Sequence, residues 1–176
     1  MTQNAPQLAV LIDGDNISSS YAERLLREAE KLGDVRLKRV YRDWSRAGDD
    51  WMDLIRKEGI RAARRNACTG RKNGSDIAMA VEAMKMLTRG VTAFCLFSSD
   101  SDFMPLAVQL RKGGARVYGF GEDKTPQSLR QACDRFIVLP PDLRRLQAAA
   151  RRRLIKVMRE LAAEGEAVPL SASAAR

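Results

Sequence analysis

The sequence predicts an α/β fold, a three-layer sandwich in which a mainly parallel sheet carries helices on both faces. Two observations predict it. Short apolar runs alternate along the chain with segments of helical periodicity, and the most apolar of them, 8–12 and 91–97, are bounded by turn residues rather than alternating with polar ones. Alternation at this spacing is that of right-handed βαβ units. The chain has 176 residues, 45% of them hydrophobic, enough for one substantial core but not two.

The elements follow in order. The run LAVLI at 8–12 ends in Asp13-Gly14 and reads as a buried strand stopped by a turn. Segment 18–32 places Leu25, Leu26, Ala29 and Leu32 at helical spacing, with serines available as N-caps and Gly33 as a stop. A strand at 35–41, a short helix at 51–57 and a short strand at 60–63 come next. Ser75 is expected to cap a helix reaching Thr88, with Ile77, Ala80, Val81, Met84 and Leu87 on its apolar stripe. Strand 91–97 precedes a helix at 103–112 closed by Gly113-Gly114, and a strand at 115–118, a helix at 127–133 and a strand at 136–139 complete the pattern. Pro140-Pro141 marks the boundary between a domain at 1–140 and a basic helical extension at 141–176.

Charge is unevenly placed. The formal net charge is +9, yet 56–72 alone holds seven basic residues against one acid, and 143–176 holds eight against three. What remains is slightly acidic, as expected of a carboxylate site beside a phosphate-binding surface; a charge run read alone is equally a solvated face. Three widely spaced cysteines imply neither a disulfide framework nor a zinc knuckle. The opening MTQNAPQLAVLIDGD has no basic n-region, and its apolar run is too short to export or anchor the chain, so a cytoplasmic protein without a membrane partner is expected.

There is no histidine. That excludes a Ser-His-Asp triad, a Cys-His pair and histidine-rich zinc sites, leaving carboxylates with a metal as the means of hydrolysis. Asp13 directly follows the first strand, and Asp100 and Asp102 follow strand 91–97 through Ser98 and Ser99. If these strands are central neighbours, the three acids meet at the carboxyl edge of the sheet, where ligands of such folds bind. Asp76, in the first turn of the helix leading into strand 91–97, joins them. Clustered carboxylates repel unless cations neutralise them, and hard oxygen ligands select Mg²⁺ or Mn²⁺. Taken singly, Asp13 and Asp100 are equally turn formers and Asp76 a residue suited to a helix N-terminus.

Around the acids, the Asn16 amide is expected to orient a metal-bound water or a substrate phosphate. Arg64, Arg65, Arg71 and Lys72 are expected to meet phosphates at the rim, with Ser98 and Ser99 as further substrate contacts. Asp15 reads as a turn residue. Trp44 and Trp51 could stack bases, but read better as partly buried core.

The stretches VLIDGDNI, VYRDW, KNGSDIAMAVEAM, LFSSDSDFMPLAVQLRKGG and VYGFGEDKTPQSLRQACDRFI, in this order, resemble the NYN family in its LabA-like branch, over about 8–139. SSDSDF joined to an upstream IDGDN is the specific part. The resemblance implies a Rossmann-like fold of the PIN-like nucleases and hydrolysis of RNA, expected single-stranded, with Mg²⁺ or Mn²⁺. It implies that Asp13, Asp76, Asp100 and Asp102 are the catalytic and metal-binding acids, with Asn16 as their polar partner; a homodimer is compatible with it. The tail LIKVMRELAAEGEAVPLSASAAR resembles the opening of a LOTUS (OST-HTH) domain, an RNA-binding module.

Two other readings compete. A PIN-like module that recruits RNA or a partner without cutting has the same acids. A HAD-type phosphatase shares Asp13-Gly14-Asp15 and the acidic SSDSD, but has Ile17 where that pattern requires Thr.

Overall fold

The computed structural model describes residues 6–45, 50–63, 74–140 and 143–166. It divides into two compact units, Met1–Pro140 and Pro141–Arg176. Arg64, Arg65, Cys68, Arg71 and Lys72 lie outside the described residues.

In the first unit six strands form one parallel sheet: β1 Gln7–Asp13, β2 Asp34–Tyr41, β3 Arg61–Ala62, β4 Ala93–Phe97, β5 Arg116–Glu122 and β6 Arg135–Leu139. Their order is β3-β2-β1-β4-β5-β6. Parallel neighbours need crossover connections, supplied by α1 Ser19–Glu30, α2 Asp50–Glu58, α3 Gly74–Thr88, α4 Met104–Lys112 and α5 Gln127–Ala132. The direction of winding reverses between β1 and β4. This is the topological switch point, and loops leaving the two strands diverge there to open a crevice.

The central strands β1 and β4 are buried on both faces, and their side chains sort by parity along each strand. Leu8, Val10 and Ile12 of β1 pack with Cys95 and Phe97 of β4 beneath Ala22, Leu25 and Leu26 of α1. Ala9 and Leu11 pack on the other side with Phe94 and Leu96, under Met79 and Ala83 of α3 and Leu106 and Leu110 of α4. Phe97 meets Phe120 of β5 edge-to-face, ring centres 4.7 Å apart. Asp13 has the parity of Ala9 and Leu11 and so belongs to the face that α3 covers.

Gly14 lets the chain turn away from β1 close to β2. Its N–H donates to the Tyr41 carbonyl at 2.8 Å, and a Cβ there would lie 2.7 Å from Val40 Cγ2. A side chain at this position would push the turn carrying Asp15 and Asn16 off the sheet.

The apolar stripe expected on α3 is not the buried one. Met79, Ala83 and Met86 face the sheet, whereas Ile77, Val81 and Met84 are exposed; Ala80 and Leu87 lie half-buried at the boundary. In a helix this apolar, two stripes satisfy the same i, i+4, i+7 spacing, and periodicity alone does not choose between them. Glu82 decides it, because its carboxylate turns inward to Arg39 and Tyr41 of β2. Ser75 is not the cap either; α3 begins at Gly74 and Ser75 lies within its first turn. Trp51 is core, and Trp44 is half-buried, its Nε1 donating to the Ala63 carbonyl and the Arg42 guanidinium lying over its ring.

In the second unit, α6 Leu143–Glu166 is a single helix with Leu146, Leu154, Val157, Met158 and Leu161 exposed. The stretch resembling a LOTUS opening falls on its later turns and on residues 167–176, which lie outside the described residues.

Candidate active site

β1 and β4 are neighbours, Ile12 pairing with Phe97, so Asp13 and the Ser98–Asp102 turn leave the sheet side by side. Asp13 is 1% exposed. Burial of a carboxylate is costly unless hydrogen bonds repay it, and three donors surround this one. The Ser98 hydroxyl donates to Oδ2 at 2.6 Å, the Asn16 amide Nδ2 to the same oxygen at 2.8 Å, and the Asn16 backbone N–H to Oδ1 at 3.2 Å. Desolvation nevertheless prevails and raises the Asp13 pKa, the bonds from Ser98 and Asn16 opposing it.

Ser98 couples the two strands. It also accepts the Asp100 backbone N–H at 3.0 Å, so a continuous chain of bonds runs from the turn after β4 to Asp13. Asp100 Oδ1 in turn accepts the Asp102 N–H at 3.0 Å, capping a single 3₁₀ turn, Ser101–Phe103, that leads into α4. The turn former and the site acid are thus one residue.

Sequence reading makes Ser98 and Ser99 substrate contacts, but the structure gives them other partners. Ser98 is buried, its hydroxyl engaged between Asp13 and Asp100. The Ser99 hydroxyl accepts the Glu122 N–H at the end of β5 at 2.8 Å. Asn16, though exposed, spends an amide hydrogen on Asp13.

β5 is drawn against this turn at Gly121. A Cβ there would stand 2.6 Å from Thr125 Oγ1, 2.7 Å from the Ser98 carbonyl oxygen and 2.9 Å from the Phe136 ring. Two of the three neighbours are site backbone and core ring, so Gly121→Ala is expected to destabilise the domain by about 1–3 kcal/mol through overpacking. Urea denaturation checks it, and a midpoint unchanged from the parent would show that β5 yields there freely.

Asp76 completes the group. α3 brings its first turn to the carboxyl edge of the sheet, where Asp76 is half-buried. Its pKa is raised to about 6, first by desolvation and then by the charges of Asp13, Asp100, Asp15 and Asp102 in turn. Acids from the end of β1, the turn after β4 and the start of α3 therefore share one electrostatic field. They do not form a preset cage: among the described residues no group of three or more carboxylates or thiols is disposed to hold a metal ion directly. A cation shared by Asp13, Asp76 and Asp100 would therefore be held in part through its bound waters. The donor set is carboxylate and amide oxygen, the chemistry that suits a hard cation keeping several of those waters.

Two polar contacts near the site had no signal in the sequence. Tyr41, beside Asp13 in the β1–β2 register, donates its hydroxyl to Glu82 at 2.6 Å, and Arg39 bonds the same oxygen. Burial works against the Glu82 carboxylate, but the bonds from Tyr41 and Arg39 outweigh it and hold its pKa below the usual value. The second contact is made by Asp15. Spacing cannot reveal it, since its partner Ser75 lies 60 residues away.

A doubly wound parallel domain with its acids gathered at the switch point belongs to the class of α/β proteins that act at the carboxyl edge of the sheet. The chain belongs to the NYN domain family, whose model matches residues 7–140, and so to the PIN-like nuclease superfamily. Its fold is similar to the crystal structure of a protein of unknown function from Vibrio parahaemolyticus RIMD 2210633, with a TM-score of 0.65 and 18% identity over 80% of this chain and 96% of that one. At that identity the likeness is one of fold. No curated protein matches the chain.

Proposed function

We propose that this protein is a metal-dependent ribonuclease that hydrolyses RNA phosphodiester bonds, with Asp13, Asp76, Asp100 and Asp102 as its working acids. One observation carries the reading: the start of α3 places Asp76 within reach of the charges of Asp13, Asp100 and Asp102, which come from two other segments of the chain. Such a concentration of negative charge destabilises a fold, and a divalent cation relieves it.

Mg²⁺ or Mn²⁺ suits these oxygen donors and would be held by Asp13, Asp76, Asp100 and Asp102 in part through water; when bound it would polarise the phosphodiester and lower the pKa of an attacking water. The chain's own groups do the rest. Ser98 and Asn16 hold Asp13 in one orientation, and Asp100 is fixed by its own cap. Single-stranded RNA is the proposed substrate, met by Arg64, Arg65, Arg71 and Lys72, and the cytoplasm the proposed compartment. No helix among the described residues is long and apolar enough to cross a membrane.

Incubation of end-labelled single-stranded RNA with Mn²⁺, with and without chelator, tests the reading. Cleavage that the chelator abolishes is expected. The absence of a preset three-acid cage among the described residues favours a second reading, a PIN-like module that recruits RNA without cutting it. RNA bound but left intact at every Mn²⁺ concentration would establish that reading instead.

The basic segment gives an independent expectation. Neutralising Arg64, Arg65 and Lys72 together should flatten the salt dependence of RNA binding by about two units of log–log slope, at roughly 0.7 for each phosphate left without its cationic side chain. An unchanged slope in a filter-binding titration would place the RNA elsewhere, with α6 the next candidate.

A further inference from the structure

Asp15 differs from the acids around it in what its oxygens do. Both accept the Asp43 backbone N–H, at 3.1 Å each, and Oδ2 also accepts the Ser75 hydroxyl at 2.8 Å. One side chain thereby ties together the turn after β1, the chain leaving β2 and the first turn of α3. The partner segment is itself stiffened, because Asp43 Oδ1 accepts both the backbone N–H and the hydroxyl of Ser45.

The residue after Ser75 is Asp76. Repulsion from Asp13, Asp15, Asp100 and Asp102 pushes on the end of α3 that carries Asp76, while Met79, Ala83, Met86 and Glu82, which hold the helix to β1 and β2, all lie further along it. The Asp15–Ser75 bond is a restraint at the N-terminal turn itself, on the residue next to Asp76. Its donor is the Ser75 hydroxyl and its acceptor a carboxylate, a charge-assisted pairing and so one of the stronger kinds of hydrogen bond.

We infer that Asp15 is a positioning residue, which latches the first turn of α3 to the turn after β1 and so sets the approach of Asp76 to Asp13 and Asp100. The inference rests on the nuclease reading for its consequence in catalysis, but not for the latch itself.

The geometric and electrostatic parts of Asp15 are separable. Asparagine keeps an acceptor for the Asp43 N–H and can offer an amide hydrogen to Ser75 Oγ, whereas alanine keeps neither. Asp15→Asn, Asp15→Ala, Ser75→Ala and the double variant Asp15→Ala/Ser75→Ala are to be compared in the full chain. Amide hydrogen exchange, without metal or RNA, reads the latch; Mn²⁺-dependent cleavage of single-stranded RNA, with kcat and the half-saturating Mn²⁺ concentration taken separately, reads its consequence.

Asp15→Ala is expected to speed exchange at Asp43 and in the first turns of α3, and to lower kcat by about 100-fold, the scale of a misplaced site group. Asp15→Asn should restore both to near the parent values. The double variant should be no worse than Asp15→Ala alone, because both changes break one interaction. Asp15→Asn as inactive as Asp15→Ala, with exchange as in the parent, would overturn the inference by giving the Asp15 charge a part in the chemistry. Parent-like exchange in Asp15→Ala would overturn it by showing that no latch exists. A parent protein that never cleaves RNA would count against the nuclease reading, and the exchange data would still decide the latch.

Discussion

Asp100→Asn is expected to lower Mn²⁺-dependent RNA cleavage by about a hundredfold or more, the scale of losing one preorganised electrostatic group at a reacting centre, while leaving RNA binding intact or slightly tighter. The substitution is nearly isosteric. Asparagine retains an oxygen to accept the Asp102 N–H, so the 3₁₀ turn and the entry to α4 keep their geometry. What is lost is a charge that would hold a cation, and what is relieved is repulsion towards Asp76 and towards the phosphates of the substrate. Cleavage assayed beside binding in chelator separates the two effects. Cleavage at the parent rate would remove Asp100 from the site.

The next largest effect is expected at Asp76, on the stability of the metal-free protein. Its pKa is raised to about 6 in the fold, while an unfolded aspartate titrates near 4. Between these values the native state holds a proton that the unfolded chain has released. Stability therefore falls as pH rises through that window, and the penalty is complete above about 6. The nominal shift corresponds to about 3 kcal/mol, but Asp76 is half-exposed and solvent screening reduces this to about 1 kcal/mol.

Asp76→Asn should then raise the melting temperature at pH 7 by about 3 °C and leave it unchanged near pH 4. Mn²⁺ should stabilise the parent more than the variant, since a ligand that binds only the native state adds to its stability. Thermal melts at both pH values, with and without Mn²⁺, test this. A variant less stable than the parent at pH 7 would mean that Asp76 repays its own burial and is not under repulsion.

Much of this was legible in the residues themselves. Each of the six strands coincides with a predicted one, and β1 and β4 were the plainest, because strands buried on both sides carry no polar alternation to confuse with a helix. Asp13 and Asp100 each sit at the point where such a run stops, which put them at one edge once β1 and β4 proved to be neighbours. The rest needed three dimensions. The buried face of α3 was hidden because Ile77, Val81 and Met84 are as apolar as Met79, Ala83 and Met86. Ser98 read as a substrate contact, since nothing local shows a hydroxyl buried beneath a carboxylate 85 positions away. Asp15 looked like a turn former because both of its partners are remote in sequence.

The place of β1 in the middle of the sheet has a consequence for how the protein is made. β1, which precedes the other strands of the sheet in the chain, acquires β2 as a neighbour early, but its other edge waits for β4, some 80 residues later. Until then the nascent domain presents an unpaired apolar strand edge, the kind of surface that recruits other chains. The candidate site cannot exist in that interval either, since Asp13 is present but the turn bearing Asp100 has not been translated. Fragments ending before β4 should therefore aggregate rather than act, and any lowering of the translation rate over α3 lengthens the period of exposure.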